Sequence, residues 1–318
     1  MNDPASAEDL PTFTSSYLVI DDFLPMELAL SMRADIDRHF GEPAAHQPHT
    51  HQVWNYWYVP GTYTYLRTQP ERLMGDDKVK TFMATLREYT AARLGMSFVM
   101  PPILSLYVDG CNQQFHNDAT NGRFAFVYSL TNPVRQTIGG ATILMHEGDL
   151  FRGHLASPMA IRGFCDLIEP RFNRLLIFDD RVFHAVERVE GSMDPVEGRF
   201  VLHGHIRDEG PLLGGALSHA QVQPALQDVL NRFTAQHGED AYNYHGPISV
   251  RFLIEPRGTV SGLQVLMDRV TYVAERHAEG WPMLRAKYLA AISTARFPEA
   301  DGRTSVILPM IFSGPSGR

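Results

Sequence analysis

The chain has 318 residues, 44% hydrophobic and 20% charged, a composition typical of a globular protein with room for two domains. Its formal net charge of −8 argues against a large nucleic-acid surface, which would need a basic stripe. The two cysteines, Cys111 and Cys165, fit no zinc or redox spacing and favour a reduced protein. The sequence shows neither an apolar run of about 20 residues nor a signal-peptide pattern, so we expect a cytoplasmic protein that binds neither nucleic acid nor membrane.

The first hundred residues predict a short strand and two helices. Tyr17 to Ile20 is apolar and β-prone, whereas apolar residues from Met26 to about Phe40 and from Val79 to Leu94 recur at helical spacing. Between the helices, a loop or edge strand is crowded with histidine and aromatic side chains: His46, His49, His51, Trp54, Tyr56 and Trp57. This cluster could form a substrate-binding wall or a buried aromatic lid.

From Pro101 to about Arg207 the pattern changes to short strands separated by turns. The β-prone runs cover residues 103–107, 123–130, 141–144, 174–178 and 199–203. Turn residues such as Asp109-Gly110 and Asn121-Gly122 lie between them. Many short strands after opening helices predict a β-rich α+β protein, a double-stranded β-helix (jelly roll) with supporting N-terminal helices.

A second unit is predicted near the C-terminus. Its predicted strands cover residues 248–254, 260–267 and 304–312, and a helix covers 282–294. We therefore expect an N-terminal domain of residues 1–208 with its jelly-roll core at about 100–207, a connector of residues 209–244, and a small α+β domain of residues 245–318.

His116 and Asp118 form a His-x-Asp pair beside a predicted strand. Side chains two residues apart on a strand lie on one face, so both could bind one ion. The triplet alone is no more than chance supplies, and the similar His-x-Glu triplets at His237 and His277 are interpreted as surface residues. With His184, the pair would complete the two-histidine, one-carboxylate set that leaves open positions on non-heme Fe(II).

Seven segments of this region occur in a recognisable order. They are Leu106-Tyr107-Val108-Asp109-Gly110, Phe115-His116-Asn117-Asp118, Tyr128-Ser129-Leu130-Thr131, Gly139-Gly140-Ala141-Thr142, Leu176-Ile177-Phe178, Phe183-His184-Ala185-Val186 and Gly198-Arg199-Phe200. Across residues 100–207 the chain resembles the prolyl-hydroxylase-like branch of the Fe(II)/2-oxoglutarate-dependent oxygenases. The resemblance implies that His116, Asp118 and His184 are the catalytic iron ligands, with 2-oxoglutarate as co-substrate and O₂ as oxidant.

The resemblance also implies where 2-oxoglutarate binds. That family places a basic residue on the strand after the second histidine, and Arg199 matches it after a longer gap than is common; Arg207 is the rival. Arginine suits a carboxylate because its planar fork pairs bidentately. Tyr107 matches a family tyrosine that binds the same carboxylate. Period two places His203 and His205 on the face of Arg199, where they would bind co-substrate or substrate, or only pack.

Four residues are candidates for substrate contacts. Arg123 follows the metal strand and would face an acidic group, and Asn117 lies between the two ligands of the His-x-Asp pair. Trp54 and His51 belong to the aromatic and histidine cluster. None of these four assignments comes from a defined motif.

The expected reaction is hydroxylation of an unactivated carbon of an amino acid, free or within a peptide or carrier-bound intermediate. Because Asp118 is present, the resemblance favours hydroxylation over halogenation, which in that family accompanies a small residue there. Two alternatives stay open: an oxygenase that catalyses desaturation or cyclisation, and a non-catalytic cupin-like binding protein.

The C-terminal unit resembles the TonB C-terminal-like module. The resemblance runs through residues 250–260, Ala295-Arg296-Phe297-Pro298 and residues 307–312. It implies a small α+β domain whose sheet edge accepts a peptide strand or a second copy of the chain. We expect a homodimer or peptide binding through this domain and slightly favour the homodimer, because it needs no further partner.

Overall fold

A computed structural model describes residues 11–41, 54–134, 138–146 and 164–314. The chain divides into two compact units. The first, here the jelly-roll unit, comprises Ser16–Leu86 and Phe98–Arg207. The second, here the C-terminal unit, takes its described residues from Met1–Ser15, Arg87–Ser97 and Asp208–Arg318.

The helices and strands up to Arg207 follow one another in short segments. The helices are α1 (Met26–Gly41), α2 (Glu71–Met74) and α3 (Asp76–Leu94). The strands are β1 (Tyr17–Ile20), β2 (Asn55–Val59), β3 (Tyr63–Thr68), β4 (Phe98–Val99), β5 (Ile103–Tyr107), β6 (Asn112–His116), β7 (Phe124–Ser129), β8 (Thr142–Met145), β9 (Cys165–Ile168), β10 (Leu175–Asp179), β11 (His184–Val186) and β12 (Arg199–Arg207).

These strands form one curled antiparallel sheet. Its order is β1-β10-β7-β12-β5-β3-β6-β11-β8-β9, with β2 paired to β3 and β4 to β12. The two ends of this order meet, because the Tyr17 hydroxyl on β1 donates a hydrogen bond of 3.0 Å to Asp166 on β9. The strand-rich, curled sheet matches the predicted jelly-roll-like layout.

Side chains of β12 point alternately to the two faces of the sheet, so one set contacts the helices and the other lines a cavity. Phe200 faces α1, where it packs against Phe40 at a ring-centre distance of 6.0 Å and lies 5.2 Å from the Arg33 guanidinium. On neighbouring β7, Phe126 packs against Phe82 of α3. Helices therefore cover one face of the sheet, which leaves the Arg199 face of β12 for a cavity.

The C-terminal unit is a sheet packed against two helices. Its elements are β13 (Leu212–Gly215), α4 (His219–Ala241), β14 (Tyr244–Ile254), β15 (Val260–Asp268), β16 (Thr271–Tyr272), α5 (Trp281–Ser293) and β17 (Thr304–Ser313). The sheet order is β13-β17-β14-β15, with β16 beside β14. Within the described ranges, no helix is long and apolar enough to cross a membrane.

The predicted connector, residues 209–244, contains β13 and the long helix α4. Ser218 and Gln221 form a capping box at the start of α4, which satisfies backbone groups at the helix end. The helix buries an apolar stripe at helical spacing: Val222, Leu226, Val229 and Phe233. This stretch therefore contributes to the core of the C-terminal unit.

Residues 11–14 pair with the edge strand β15. The Phe13 N–H donates to the Leu266 carbonyl at 2.8 Å, and the Asp268 N–H donates to the Phe13 carbonyl at 2.9 Å. The Phe13 side chain is 3% exposed and lies 5.5 Å from the Arg93 guanidinium. Part of one of the two edges of this sheet, the β15 edge, is thus occupied by the chain itself.

Replacing Phe13 with alanine is expected to destabilise the C-terminal unit by about 3–5 kcal/mol, because a buried ring is lost and a cavity remains. The free energy of unfolding, measured by urea denaturation, checks this. Met283→Ala changes a side chain that is 67% exposed in the same unit, and it should stay within about 0.5 kcal/mol of wild type. Equal effects of the two variants would contradict the pairing of Phe13 with β15.

Candidate metal centre

His116, Asp118 and His184 lie together in the jelly-roll unit. One potential ligand atom from each lies within 4.8 Å of the other two. His116 ends β6, His184 begins β11, and the two residues are paired across the antiparallel ladder. Asp118 lies beyond the end of the strand, so the expectation that the pair shares a strand face is wrong. Asp118 is positioned by the turn, where its N–H donates to the Asp180 carbonyl at 2.9 Å.

A bulge turns His116 toward the other ligands. Val186 pairs with Gln113 and His184 with His116, so three residues of β11 face four residues of β6. The extra residue breaks the alternation, and Gln113 and His116 both line the same cavity although they are three positions apart. Bulges commonly re-aim side chains beside active sites in this way.

Backbone carbonyl groups fix the orientation of both imidazoles. His116 Nδ1 lies 2.7 Å from the Gln114 carbonyl and His184 Nδ1 lies 3.0 Å from the Val182 carbonyl. A carbonyl only accepts, so each Nδ1 carries the hydrogen and each Nε2 keeps its lone pair for a metal. Asp118 Oδ2 lies 3.4 Å from His184 Nε2, and Asp118 Oδ1 accepts from the Asn121 side-chain amide at 2.9 Å.

The protonation states also suit a divalent cation. Burial works to raise the pKa of the Asp118 carboxyl, but the neighbouring imidazoles, His184 first and then His205 and His116, outweigh it and lower this pKa. Burial, followed by the charge of His184, lowers the pKa of the His116 imidazole. An ionised carboxylate and imidazole nitrogens without a proton are the forms that bind metal.

A cavity of about 230 Å³ opens beside these residues. Its polar lining comes from β3, β5, β6, β8, β11, β12 and the turn after β6: Tyr63, Tyr65, Arg67, Tyr107, Gln113, His116, Asp118, Asn121, Thr142, His184, Arg199, His203 and His205. Its apolar lining includes Trp57, Ile103, Phe126, Phe178, Val186 and Val201. A concave site with a few converging polar groups is the usual setting for a small ligand.

Arg199 is 1% exposed and only partly hydrogen-bonded. Its Nη2 donates to the Thr142 hydroxyl at 3.1 Å, and its guanidinium lies 4.7 Å from the centre of the Tyr107 ring. Among the described residues, Nε and Nη1 find no partner. Burial lowers the pKa of Arg199, with Tyr107 opposing the shift. Two buried, unpaired N–H groups on a cation create a ready site for a carboxylate.

His203 and His205 line the cavity, as period two predicts. His203 Nε2 lies 2.8 Å from the Ser105 hydroxyl, and burial, followed by the charges of His205 and Arg199, lowers the pKa of His203 to about 3. This imidazole is therefore neutral.

His205 forms a different pair. Its Nδ1 lies 3.1 Å from Asp180 Oδ1, and this carboxylate outweighs burial and raises the pKa of His205. Burial raises the pKa of Asp180 to about 6, with His205 opposing. Because they share this hydrogen bond, the two groups titrate as a coupled pair. Asp118, Asp180 and His205 form a second group with potential ligand atoms within 4.8 Å of one another.

No family model and no curated protein matches the sequence. Three solved structures each give a TM-score of 0.44. A prolyl hydroxylase in complex with a hypoxia inducible factor peptide, from Trichoplax adhaerens, is 16% identical and covers 62% of this chain and 85% of its own. A Pseudomonas putida prolyl-4-hydroxylase is 18% identical, and the match covers 65% of this chain and 98% of the hydroxylase. The non-heme alpha-ketoglutarate-dependent epimerase SnoN from nogalamycin biosynthesis is 13% identical, and the match covers 61% of this chain and 77% of the epimerase.

The structure does not place the other predicted substrate residues in the cavity. Trp54 donates from its indole N–H to His39 at 3.2 Å and packs against Phe200 on the helix-covered face. Asn117 is exposed and Arg123 half-buried, and neither lines the cavity. His51, like His46 and His49, lies outside the described residues.

Arg207, the rival of Arg199, lies at the exposed end of β12. Its Nε donates to the Asn121 carbonyl at 2.6 Å, and it does not line the cavity. Sequence reasoning missed Tyr63, Tyr65 and Arg67 of β3. The three residues are spaced two apart, a pattern that predicts a strand with all three side chains on the same face.

Gly122 lies close to the Asp180–His205 pair. A Cβ at this position would lie 2.6 Å from Asp180 Oδ2 and 2.9 Å from both His205 Cβ and the Ile206 carbonyl oxygen. We expect Gly122→Ala to lower the free energy of unfolding by about 1–3 kcal/mol through overpacking, measured by urea denaturation. Gly41→Ala, where nothing lies within 4 Å, is the matched control in the same unit, and equal stability of the two variants would contradict this packing.

Proposed function

We propose that this chain is an Fe(II)- and 2-oxoglutarate-dependent oxygenase that hydroxylates an unactivated carbon of an amino acid, free or within a peptide or carrier-bound intermediate. One observation supports this above all. A two-histidine, one-carboxylate group and a buried arginine with two unpaired N–H groups line the same cavity. The first suits a ferrous ion, and the second suits the distal carboxylate of a 2-oxo acid.

His116, Asp118 and His184 would hold the ferrous ion. Their carbonyl-oriented imidazoles would present Nε2 to the ion, and Asp118 would offer a carboxylate oxygen. When bound, Fe(II) would supply the activation of O₂, so that 2-oxoglutarate is oxidised to succinate and CO₂ with one oxygen atom and the substrate C–H bond receives the other. These protein groups fix the geometry of that chemistry.

Arg199, Thr142 and Tyr107 would bind the distal carboxylate of 2-oxoglutarate. Nε and Nη1 of Arg199 are free to donate, while its Nη2 is held by the Thr142 hydroxyl. The Tyr107 side chain is buried against the guanidinium, and burial raises the pKa of its hydroxyl, with Arg199 opposing, so it stays a hydrogen-bond donor. Apolar residues such as Phe178 and Val186 exclude water from the same cavity.

The test is an anaerobic Fe(II) titration followed by admission of O₂ with 2-oxoglutarate. We expect one ferrous ion per chain, bound before O₂ is added, and then succinate in an amount that depends on both iron and 2-oxoglutarate. Chelation of the iron should abolish succinate formation. A chain that binds no Fe(II), or that forms succinate equally well after chelation, would rule the proposal out.

A further inference from the structure

Arg67 is a second cationic side chain in the cavity, and it is held on an aromatic ring. Its guanidinium carbon lies 3.4 Å from the centre of the Trp57 ring. In the β2–β3 pairing Asn55 faces Arg67 and Trp57 faces Tyr65, so all four residues lie on one face. Stacking fixes the planar fork and leaves its N–H edge available to donate.

Arg67 lacks an ionic partner in the part of the chain that the structure describes. None of the ion pairs found there includes it, and the one acidic residue that lines the cavity, Asp118, belongs to the candidate metal group. The charge of Arg67 opposes the rise that burial imposes on the pKa of the Tyr65 hydroxyl. The raised pKa keeps this hydroxyl neutral, so Tyr65 does not neutralise the positive charge of Arg67.

Arg67 and Arg199 occupy different places on the same inner face of the sheet. Arg67 pairs with Ser105 of β5, whereas Arg199 pairs with Tyr107 of the same strand, two residues further along. The stacked rings of Tyr65 and Tyr107, 5.0 Å apart, lie in the row of Arg199. Arg199 is buried, whereas Arg67 is half-buried. The cavity therefore offers one buried anion site and one more accessible anion site.

The accessible site lies within reach of the metal group. The Arg67 guanidinium lies over Trp57, which is paired across the strands with Tyr65 and not with Arg67. The Arg67 side chain therefore extends along β3 toward Tyr65. Tyr63, further along the same face, packs edge-on against His116 at 5.2 Å. Tyr63 and Arg67 are four residues apart on the strand, roughly 13 Å between Cα atoms, a span that a small substrate with one anionic end can bridge.

We propose that Arg67, stacked on Trp57, binds the carboxylate of the substrate, so that the substrate is a free amino acid and not a residue inside a peptide or a carrier-bound thioester. This inference rests on the proposed function and narrows its substrate class. An interior residue of a peptide or a carrier-bound thioester lacks the free α-carboxylate that would pair with Arg67. Arg199 remains the site of the co-substrate.

The experiment compares the twenty free L-amino acids with their C-terminal amides. Succinate formation by wild-type enzyme with Fe(II) and 2-oxoglutarate should be stimulated by at least one free acid and not by its amide. Calorimetry on the metal-free protein should show the same preference in binding. Arg67→Gln should raise the KM for the active acid about 100-fold, as expected for loss of a charge-assisted bidentate contact, while the KM for 2-oxoglutarate stays within about twofold.

Two further variants separate charge from position. Arg67→Lys should restore part of the lost affinity, because it keeps the charge without the planar fork. Arg72→Gln removes an exposed arginine of α2 that lies outside the cavity, and it should leave the KM for the active acid within about twofold.

Different results would overturn the inference and the proposed function. Equal stimulation by amides, stimulation by no free acid, or a rise confined to the KM for 2-oxoglutarate would overturn the role of Arg67. Absence of Fe(II) binding and of succinate would instead refute the oxygenase. Calorimetry would then still decide whether Arg67 binds free amino acids, because it needs neither iron nor turnover.

Discussion

The Asp118→Ala variant is expected to lose Fe(II) binding and 2-oxoglutarate-dependent succinate formation. Asp118 provides the single negative charge among the three candidate ligands, so its removal leaves two neutral imidazoles facing a divalent cation. Changes in residues that only support metal ligands cost roughly 10- to 100-fold in affinity or activity, and loss of a ligand should exceed that. Anaerobic Fe(II) titration and a succinate assay measure the two effects separately.

Asp118 belongs to two candidate metal groups, and three further variants decide which of the two groups holds the ion. If the ion is held with His116 and His184, His184→Ala should lose it and His205→Ala should keep it. The reverse result would place the ion with Asp180 and His205. Asp76→Ala, an exposed carboxylate at the start of α3, is the control and should titrate as wild type does. Wild-type turnover by Asp118→Ala would refute the metal site altogether.

The Arg199→Met variant is expected to lose 2-oxoglutarate binding while the protein remains folded. Each charge-assisted hydrogen bond contributes about 1.5–3 kcal/mol, so loss of two should raise the KM for 2-oxoglutarate by at least about 100-fold. Methionine has a similar length and leaves no polar atom in the buried site. The unpaired Nε and Nη1 of Arg199 cost stability when no carboxylate is bound.

The melting temperature without co-substrate should therefore equal or exceed that of wild type. This combination, lost binding with retained stability, separates a binding role from a structural one. Arg207→Met, on the same strand but outside the cavity, should leave the KM for 2-oxoglutarate unchanged. If Arg207→Met lost binding and Arg199→Met did not, the co-substrate would lie at the end of β12. Unfolding of Arg199→Met would show that the buried charge has a structural partner.

The sequence was informative where the strands are apolar. The predicted runs around Leu104, Phe126, Ile177 and Phe200 are strands in the structure, and the curled sheet follows from them. In β12, the alternation that placed His203 and His205 beside Arg199 also holds. These inferences succeeded because burial on one or both faces leaves a regular apolar pattern.

Strands that border the cavity gave weaker signals. In β3 the inner face has Tyr63, Tyr65 and Arg67, so the usual rule of apolar side chains inside and polar ones outside does not hold. In β6 most residues are polar, and the strand depends on its neighbours β3 and β11. The bulge that turns His116 inward depends on cross-strand register, which local sequence does not encode.

The pairing of residues 11–14 with β15 has a consequence for how the C-terminal unit is assembled. The Thr12 hydroxyl and the Val265 carbonyl that accepts its hydrogen bond are separated by 253 positions. During synthesis, Phe13 leaves the ribosome long before the strand that it pairs with has been made. Closure of this contact is therefore a late event with the slow kinetics of non-local pairing. A fragment that begins at residue 208 or 245 would lack both Phe13 and the segment Arg87–Ser97, so it would not contain the whole unit.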